Sequence, residues 1–175
     1  MELLENARSE YERLTKFFIS NNISVSTMES CTSGLVASLI TDTQGASAIF
    51  KGSFVAYSNE AKLMMGVPSE IINTYGVYSE ETAQAMAKCC KERFSSDIGI
   101  GVTGTFGNKD PNNEDSVPGV VYFSIANGDE VHSYRLELEE ALTYLSMSDV
   151  EKVNASDRLS LKLIVALEIS KRILH

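Results

Sequence analysis

The stretch ISVSTMESCTSGLVASLI, residues 23–40, decides how this chain folds. Residues 23–28 alternate apolar and polar side chains, which predicts a β-strand. Residues 29–34 are small and polar, and a helix is then predicted by the apolar residues Leu35, Val36, Leu39 and Ile40. A strand that runs through a short turn into a helix exposes backbone N–H groups at the helix start. Such a place favours an anion or a developing oxyanion.

Strands and helices alternate on both sides of this stretch. A spacing of three and four between apolar residues predicts a helix over residues 3–20. Serine caps predict helices that begin at Ser58, Ser69 and Ser79. Further strands are predicted over residues 50–57, 97–102, 120–126 and 131–138, and the last two flank an Asn-Gly hairpin turn.

The remaining segments complete the predicted domain. Residues 103–119 are rich in Gly, Asn, Asp and Pro and predict a long, functional loop. The sequence from Ser148 to Glu151 matches a capping box and predicts the start of a last helical region that reaches the C-terminus. We therefore expect one domain over residues 1–175, of the α/β class, with a three-layer α/β/α architecture. Its mixed sheet is covered by helices on both faces.

The composition excludes several classes of protein. The 175 residues are 43% apolar and 22% charged, which favours a packed domain over a disordered chain. A net charge of −9 disfavours nucleic-acid partners, because an acidic surface repels phosphate backbones. No apolar run reaches the roughly 20 residues of a membrane span, and the N-terminus is acidic rather than a secretory signal. We expect a cytoplasmic protein with no membrane partner.

Cysteine and histidine are too sparse for a metal site. The three cysteines, Cys31, Cys89 and Cys90, form no C-x-x-C pair, and the histidines are His132 and His175. We therefore expect no metal and no cofactor. A catalytic triad with histidine is also disfavoured, so the base of a hydrolase with this sequence would be a lysine or a carboxylate.

Small polar residues are concentrated in four patches at element junctions: 29–34, 45–47, 57–62 and 103–107. The spacing of the residues in these patches, taken alone, is also typical of ordinary turns without a catalytic role. The motifs ESCTSG (29–34), GASAIF (45–50), YSNEAK (57–62), GVYSEE (76–81), VTG (102–104) and DR (157–158), however, resemble the CinA C-terminal domain family over nearly the whole chain. Members of that family include nicotinamide mononucleotide deamidases. Longer relatives have an additional N-terminal domain, for which these 175 residues leave no room.

The resemblance implies a metal-free amidase that uses a serine and a lysine. The matching positions are Ser47 as the nucleophile and Lys62 as the general base, with Ser30 and Tyr57 assisting from the same pocket. Ser30 is also a rival nucleophile, because it lies at the predicted helix start. The neighbouring Cys31 is intrinsically more nucleophilic than serine but lacks a nearby histidine, which favours a buried structural role.

Substrate contacts follow from the same resemblance. Thr103 and Arg158 match positions associated with the nucleotide, and the planar guanidinium suits a phosphate. Gly104 and Thr105 begin the loop where further contacts are expected. Oxyanion donors are expected among the backbone N–H groups of Thr32, Ser33 and Gly34.

Lys62 can act as a general base only if its pKa is lowered. A free lysine has a pKa near 10.4 and is almost fully protonated at neutral pH. Burial has to lower that pKa to roughly 7–8, and a carboxylate such as Glu60 must not pair with the amine and raise it again.

Two segments depart from the family pattern. Ser33 stands where the first motif usually has a glycine. Residues 105–108 read TFGN instead of IAGP, which places the bulky Phe106 at a small residue's position, and the lysine usual before the next strand has no counterpart.

The prediction is an amidohydrolase that converts nicotinamide mononucleotide to nicotinic acid mononucleotide and ammonia through an acyl-enzyme. One alternative is a domain of the same fold that binds a nucleotide or a protein partner without turnover, which the altered loop favours. Another is an amidase for a different carboxamide. We also expect a homo-oligomer, since the apolar hairpin and helices offer an interface.

Overall fold

The computed structural model describes residues 2–107, 109–114, 116–140 and 157–174. Within them the helices are α1 (Glu2–Asn21), α2 (Leu35–Thr41), α3 (Asn59–Met64), α4 (Ser69–Tyr75), α5 (Glu80–Phe94) and α6 (Arg158–Leu174). The strands are β1 (Val25–Glu29), β2 (Phe50–Val55), β3 (Ile98–Gly104), β4 (Val120–Asn127) and β5 (Glu130–Glu137). A 3₁₀ turn, Ala46–Ala48, precedes β2. The predicted capping box at Ser148 and Glu151 lies outside the described residues.

The five strands form one mixed sheet in the order β2-β1-β3-β4-β5. The first strand, β1, pairs in parallel with β2 on one side and with β3 on the other. The pairs β3–β4 and β4–β5 are antiparallel. Because the chain leaves β1 for one neighbour and later returns to the other, the carboxyl end of β1 is a topological switch point, where α/β proteins commonly bind ligands.

Helices cover both faces of this sheet. On one face α1, α2 and α6 form the larger core, in which Tyr11, Phe18 and Ile164 are buried with the sheet residue Phe123. On the other face α5 packs along the strands and, with α4 nearby, encloses a smaller apolar cluster around Met86. This arrangement confirms the predicted three-layer α/β/α architecture with a mixed sheet.

Local cap signals mark the helix starts correctly at two of the three predicted serines. The Ser58 side chain accepts a hydrogen bond from the Ala61 N–H, and Ser79 caps α5 in the same way. At α4 the cap position belongs to Pro68, so Ser69 is the first helical residue rather than the cap. The second strand ends at Val55, two residues earlier than expected, because the chain turns there into α3.

Two glycines of β3 allow α5 to approach the sheet closely. A Cβ atom on Gly99 would lie 2.1 Å from the Ala87 carbonyl oxygen, and one on Gly101 would lie 2.3 Å from the Ala83 carbonyl oxygen. Both obstacles are helix backbone, which cannot rotate away as a side chain can. The absence of side chains at these positions therefore sets the distance between α5 and β3.

We expect Gly101→Ala to lower the free energy of unfolding by about 2 kcal/mol or more, because the added methyl group has to push α5 off the sheet. Denaturant unfolding measures the effect. Gly107→Ala is the matched control, since a Cβ there meets nothing within 4 Å, and it should change stability by less than about 0.5 kcal/mol. Equal effects of the two substitutions would contradict the packing argument.

Candidate active site

The candidate site begins where β1 ends. Ser30 directly follows β1, and its N–H donates to the Val102 carbonyl of β3 at 2.9 Å. On the other side, the Ala56 N–H, just past β2, donates to the Glu29 carbonyl at 2.8 Å. The carboxyl ends of three parallel strands therefore meet around Ser30, at the switch point of the sheet.

The short helix α3 places Lys62 against Ser30. The Lys62 side chain folds back beneath the turn that leads from β2, and its Nζ lies 3.1 Å from Ser30 Oγ and 3.0 Å from the Ala56 carbonyl oxygen. Only 1% of Lys62 is exposed, although lysine is rarely found fully buried. A buried amine thus contacts a buried hydroxyl.

Burial lowers the pKa of Lys62 to about 8, while the negative charge of Asp110 acts in the opposite direction. Glu60 makes no ion pair with Lys62; its own backbone N–H and Ser58 lower its pKa instead. Burial also raises the pKa of Cys31 to about 12, so that residue stays a neutral thiol. The environment that a lysine base requires is therefore present.

The structure does not pair Ser47 with Lys62, and this part of the sequence prediction is wrong. Ser47 is exposed in the 3₁₀ turn before β2, and the adjacent Ile49 carbonyl accepts from Val25 at the start of β1. Ser47 therefore lies at the amino edge of the parallel strands, roughly 15 Å along the sheet from Ser30 at about 3.3 Å per residue. The rival, Ser30, is the serine that contacts the lysine.

The turn after Ser30 is held by the buried carboxylate of Glu29. It accepts hydrogen bonds from the N–H groups of Gly34, Val36 and Ala37 at 2.9, 3.1 and 2.9 Å. The Ser33 N–H donates to the Ser30 carbonyl at 3.0 Å. The prediction of oxyanion donors at Ser33 and Gly34 is therefore wrong, because these N–H groups already have partners. The N-terminus of α2 does bind an anion, but that anion is the side-chain carboxylate of Glu29.

Thr32 and Ser33 differ in their surroundings. The Thr32 hydroxyl is buried without a hydrogen-bond partner and is not among the groups that line the cavity. Ser33 has a left-handed backbone with φ of 53°, a conformation that favours glycine, which explains why glycine is usual there. Its hydroxyl accepts a hydrogen bond from Lys162 of α6 at 3.1 Å, a contact that a glycine could not make.

Ser30 lies in a cavity of about 540 Å³. Tyr57, Gly104, Thr105 and Arg158 line it, as the sequence predicts. The other lining residues are Cys31, Ser58, Asn59, Glu60, Tyr78, Phe106, Gly107, Asp110, Asn112 and Asn113. This volume suits a ligand of nucleotide size, and the mixture of hydroxyl, amide and charged groups suits a polar one.

Two residues predicted to contact the substrate use their hydroxyls to donate hydrogen bonds to backbone carbonyl groups. Thr103 is fully buried beside Val77, whose carbonyl oxygen accepts from its hydroxyl at 2.9 Å, and Thr103 does not line the cavity. The Thr105 hydroxyl donates to the Val117 carbonyl at 2.6 Å. Thr105 therefore shapes the wall through its position rather than through a free hydroxyl.

Arg158 provides a cation at one side of the cavity. Its guanidinium lies 5.3 Å from the centre of the Phe106 ring, and Nη2 is 3.5 Å from the Tyr57 hydroxyl. Within the described parts of the chain, no carboxylate lies within ion-pair distance of Arg158. Tyr57 makes no hydrogen bond to Lys62 or Ser30, so its hydroxyl belongs to the arginine side of the cavity.

Glu29, Tyr78 and Asp110 are part of the site or its support, although their positions in the sequence do not predict it. Tyr78 donates to the Asp110 carboxylate at 2.5 Å, and this pair forms part of the cavity wall. Nothing in the local pattern signals the contact, because 32 residues separate the partners. Glu29 stands inside the first motif, but its distance from the helix matches no usual cap spacing.

No helix of residues 2–107, 109–114, 116–140 and 157–174 is long and apolar enough to cross a membrane. In the same ranges, no three His, Cys, Asp or Glu side chains group as metal ligands. The prediction of a homo-oligomer stays a prediction.

Fold and site together define an α/β protein with a buried serine–lysine pair at the carboxyl edge of its parallel strands. A profile of the CinA C-terminal domain family matches residues 8–153, and the chain belongs to this family. The family expected from the sequence motifs is thus confirmed.

Individual relatives agree with this assignment. The chain is 42% identical over 124 residues to an Acetivibrio thermocellus protein provisionally named a competence-damage inducible protein, covering 69% of this chain and 30% of that protein. It is 47% identical over 98 residues to a CinA-like protein of Fervidobacterium nodosum, covering 55% and 23% respectively. The chain thus spans about a third or less of the length of these curated relatives.

Solved structures show the same fold. The competence/damage inducible protein CihA of Agrobacterium tumefaciens superposes with a TM-score of 0.77 at 26% identity, covering 97% of this chain and 96% of that chain. A CinA superfamily protein of Escherichia coli gives a TM-score of 0.78 at 21% identity, with coverages of 97% and 90%.

We expect Lys62→Met to stabilise the protein at pH 7 by about 1–3 kcal/mol. The lysine's pKa falls from about 10.5 in the unfolded chain to about 8 in the fold, which corresponds to a penalty of at most about 3 kcal/mol while the ammonium is buried. The penalty is complete below pH 8 and disappears as the pH rises through 10.5.

Urea unfolding of both proteins at pH 7 and pH 10 measures this difference, which should shrink at the higher pH. A variant that is less stable than the wild type by the same amount at both pH values would contradict the buried-charge argument.

Proposed function

We propose that this protein is an amidohydrolase that hydrolyses the carboxamide of nicotinamide mononucleotide, with Ser30 as the nucleophile and Lys62 as the general base. The observation that carries the proposal is the 3.1 Å contact between Lys62 Nζ and Ser30 Oγ in a site where the amine is 1% exposed and pairs with no carboxylate of the described residues. The family resemblance supplies the substrate, and the geometry supplies the choice of serine.

The lysine works only in its neutral form. With a pKa of about 8, roughly one Lys62 in ten is neutral at pH 7, compared with fewer than one in a thousand for a free lysine. Once neutral, the amine can donate to the Ala56 carbonyl while it accepts the Ser30 hydroxyl proton over the same 3.1 Å. The Ala56 carbonyl therefore orients the base toward its target.

In the acylation step, Ser30 Oγ forms a bond to the carboxamide carbon and its proton passes to Lys62 Nζ. When the tetrahedral intermediate collapses, the carbon–nitrogen bond breaks. The proton on Lys62 moves to the departing nitrogen, which leaves as ammonia. The product of this step is an ester between Ser30 and the nicotinoyl group, with Lys62 neutral again.

In the deacylation step, water attacks the ester carbon and gives a proton to Lys62. The bond between Ser30 Oγ and the carbon then breaks, and the proton returns from Lys62 to Ser30. Nicotinic acid mononucleotide is formed as the carboxylic acid, which loses its proton to solvent and is released as the carboxylate. Lys62 takes part in all four proton transfers of this cycle: it accepts and gives up one proton in each step.

Arg158 is the group best suited to the substrate phosphate. It faces the same cavity as Ser30, lacks a carboxylate partner in the described residues, and is held against Phe106. A guanidinium that is already in place loses little side-chain freedom when it binds a phosphate with two hydrogen bonds.

Ammonia release from nicotinamide mononucleotide tests the nucleophile. Ser30→Ala should reduce kcat by at least about 1,000-fold, because the acyl-enzyme cannot form. Ser47→Ala is the matched control, since this exposed serine lies at the other edge of the sheet, and it should keep wild-type kcat within about two-fold.

Loss of activity in Ser47→Ala with retention in Ser30→Ala would overturn the assignment. A wild-type protein that binds the nucleotide without releasing ammonia would favour the non-catalytic alternative. Release of ammonia from other carboxamides only would favour an amidase with a different substrate.

We expect Arg158→Gln to raise KM for nicotinamide mononucleotide by about 10- to 100-fold and to leave KM for nicotinamide riboside, which has no phosphate, nearly unchanged. Arg172→Gln is the control: Arg172 lies on the same helix and also stacks on a ring, that of Tyr134, but away from the cavity. Equal losses for both substrates would show that Arg158 does not bind the phosphate.

A further inference from the structure

The cavity contains a carboxylate that the reaction cycle does not use. Asp110 lines the same cavity as Ser30, on the loop between β3 and β4. Its charge and that of Lys62 act on each other: Asp110 raises the pKa of Lys62, and Lys62 lowers that of Asp110. Asp110 therefore lies close enough to Lys62 for the two charges to interact, and Arg158 provides the cationic side chain among the described lining residues.

Three donors hold this carboxylate in place. Tyr78 donates from its hydroxyl at 2.5 Å, Asn113 from its side-chain amide at 2.7 Å, and Asn112 from its backbone N–H at 2.9 Å. Asn113 in turn accepts from Asn59 at 2.9 Å, which ties the network to the first turn of α3. These bonds help to hold the pKa of Asp110 below its usual value, so the charge is permanent near neutral pH.

In the empty site, this charge opposes catalysis. Lys62 has to lose its proton to act as a base, and a fixed negative charge nearby favours the protonated form. The donors on Asp110 also keep it from forming a direct ion pair with Lys62. A cationic ligand beside Asp110 would reverse the balance, because it is attracted to the carboxylate and at the same time favours the neutral form of the lysine.

We propose that Asp110 makes this site selective for a carboxamide carried on a positively charged ring, and that Tyr78 is the positioning residue that holds Asp110 toward that ring. The inference rests on the proposed function and deepens it: the pyridinium ring of nicotinamide mononucleotide is such a ring. The phosphate then binds Arg158 and the cationic ring lies beside Asp110, so that a zwitterionic substrate matches the opposite charges of these two lining residues.

A comparison of two substrates isolates the ring charge. Nicotinamide mononucleotide has a cationic ring, whereas benzamide mononucleotide has the same carboxamide and phosphate on a neutral ring of similar shape. The ratio of their kcat/KM values is measured for the wild type and for Asp110→Asn, which keeps the shape and the acceptor oxygen for Tyr78. Differences in intrinsic reactivity between the two substrates cancel when the two ratios are compared.

We expect Asp110→Asn to reduce this ratio by about ten-fold or more, and Tyr78→Phe to reduce it by a smaller factor. Glu114→Gln is the matched control, because it removes the same charge from an exposed position of the same loop outside the cavity, and it should leave the ratio unchanged. A ratio in Asp110→Asn equal to that of the wild type would overturn the proposal, as would an equal reduction in Glu114→Gln. A merely structural loss would lower both kcat/KM values together, leave the ratio unchanged, and overturn it as well.

Binding measurements separate this inference from the proposed function. The dissociation constants of the two nucleotides are measured by calorimetry in Ser30→Ala and in the double variant with Asp110→Asn. If the wild type releases no ammonia but the preference for the cationic ring depends on Asp110, the proposed turnover fails and the charge selectivity stands. If ammonia is released but the preference does not depend on Asp110, the selectivity fails alone. If neither nucleotide binds, both fail.

Discussion

The buried carboxylate of Glu29 is the constraint on which the candidate site depends. It accepts three backbone N–H groups at the start of α2, and the Thr27 hydroxyl donates to it at 3.1 Å. These N–H groups would otherwise lack partners inside the helix, and the carboxylate would otherwise be buried without compensation. The N–H groups and the carboxylate therefore provide each other's hydrogen-bond partners. Because Ser30 is the next residue in the chain, the same contacts fix Ser30 at the end of β1.

The buried side chain of Lys62 has fewer compensating partners than that of Glu29. The carboxylate has several donors around it, whereas within the described part of the chain the amine contacts two oxygen atoms, of Ser30 and Ala56, and forms no ion pair. A charged group without such compensation shifts toward its neutral form, which is what a general base needs. The fold thus buries Lys62 at a cost in stability, and the chemistry proposed for the site depends on the lowered pKa that the same burial produces.

Local signals in the sequence predicted the helices and strands well. They predicted poorly which residues of different helices, strands and loops come into contact. The periodicity of α1, the cap at Ser58 and the Asn-Gly hairpin depend on neighbours in the chain, and all are present. The choice between Ser30 and Ser47 depends on which edge of the sheet each serine occupies, and hence on the parallel pairing of β1 with β2. The cavity wall formed by Tyr78 and Asp110 depends on a contact across 32 residues, which no local pattern contains. The family motifs led to Ser30, Lys62, Tyr57 and Arg158, which the structure brings together, and also to Ser47, which it does not pair with the lysine.

The loop between β3 and β4 is the larger of the two departures from the family pattern, and its position limits what such a departure can change. Phe106 is 6% exposed, so its ring is anchored in the core while it also stacks on Arg158. The loop therefore sets the walls of the cavity on the arginine side and on the Asp110 side. The contact between Ser30 and Lys62 depends instead on β1, β2 and α3, where the motifs match the family. A substitution in the loop can consequently alter which ligand fits the cavity while the serine–lysine pair stays in place, because the cavity wall and the pair rest on separate elements of the fold.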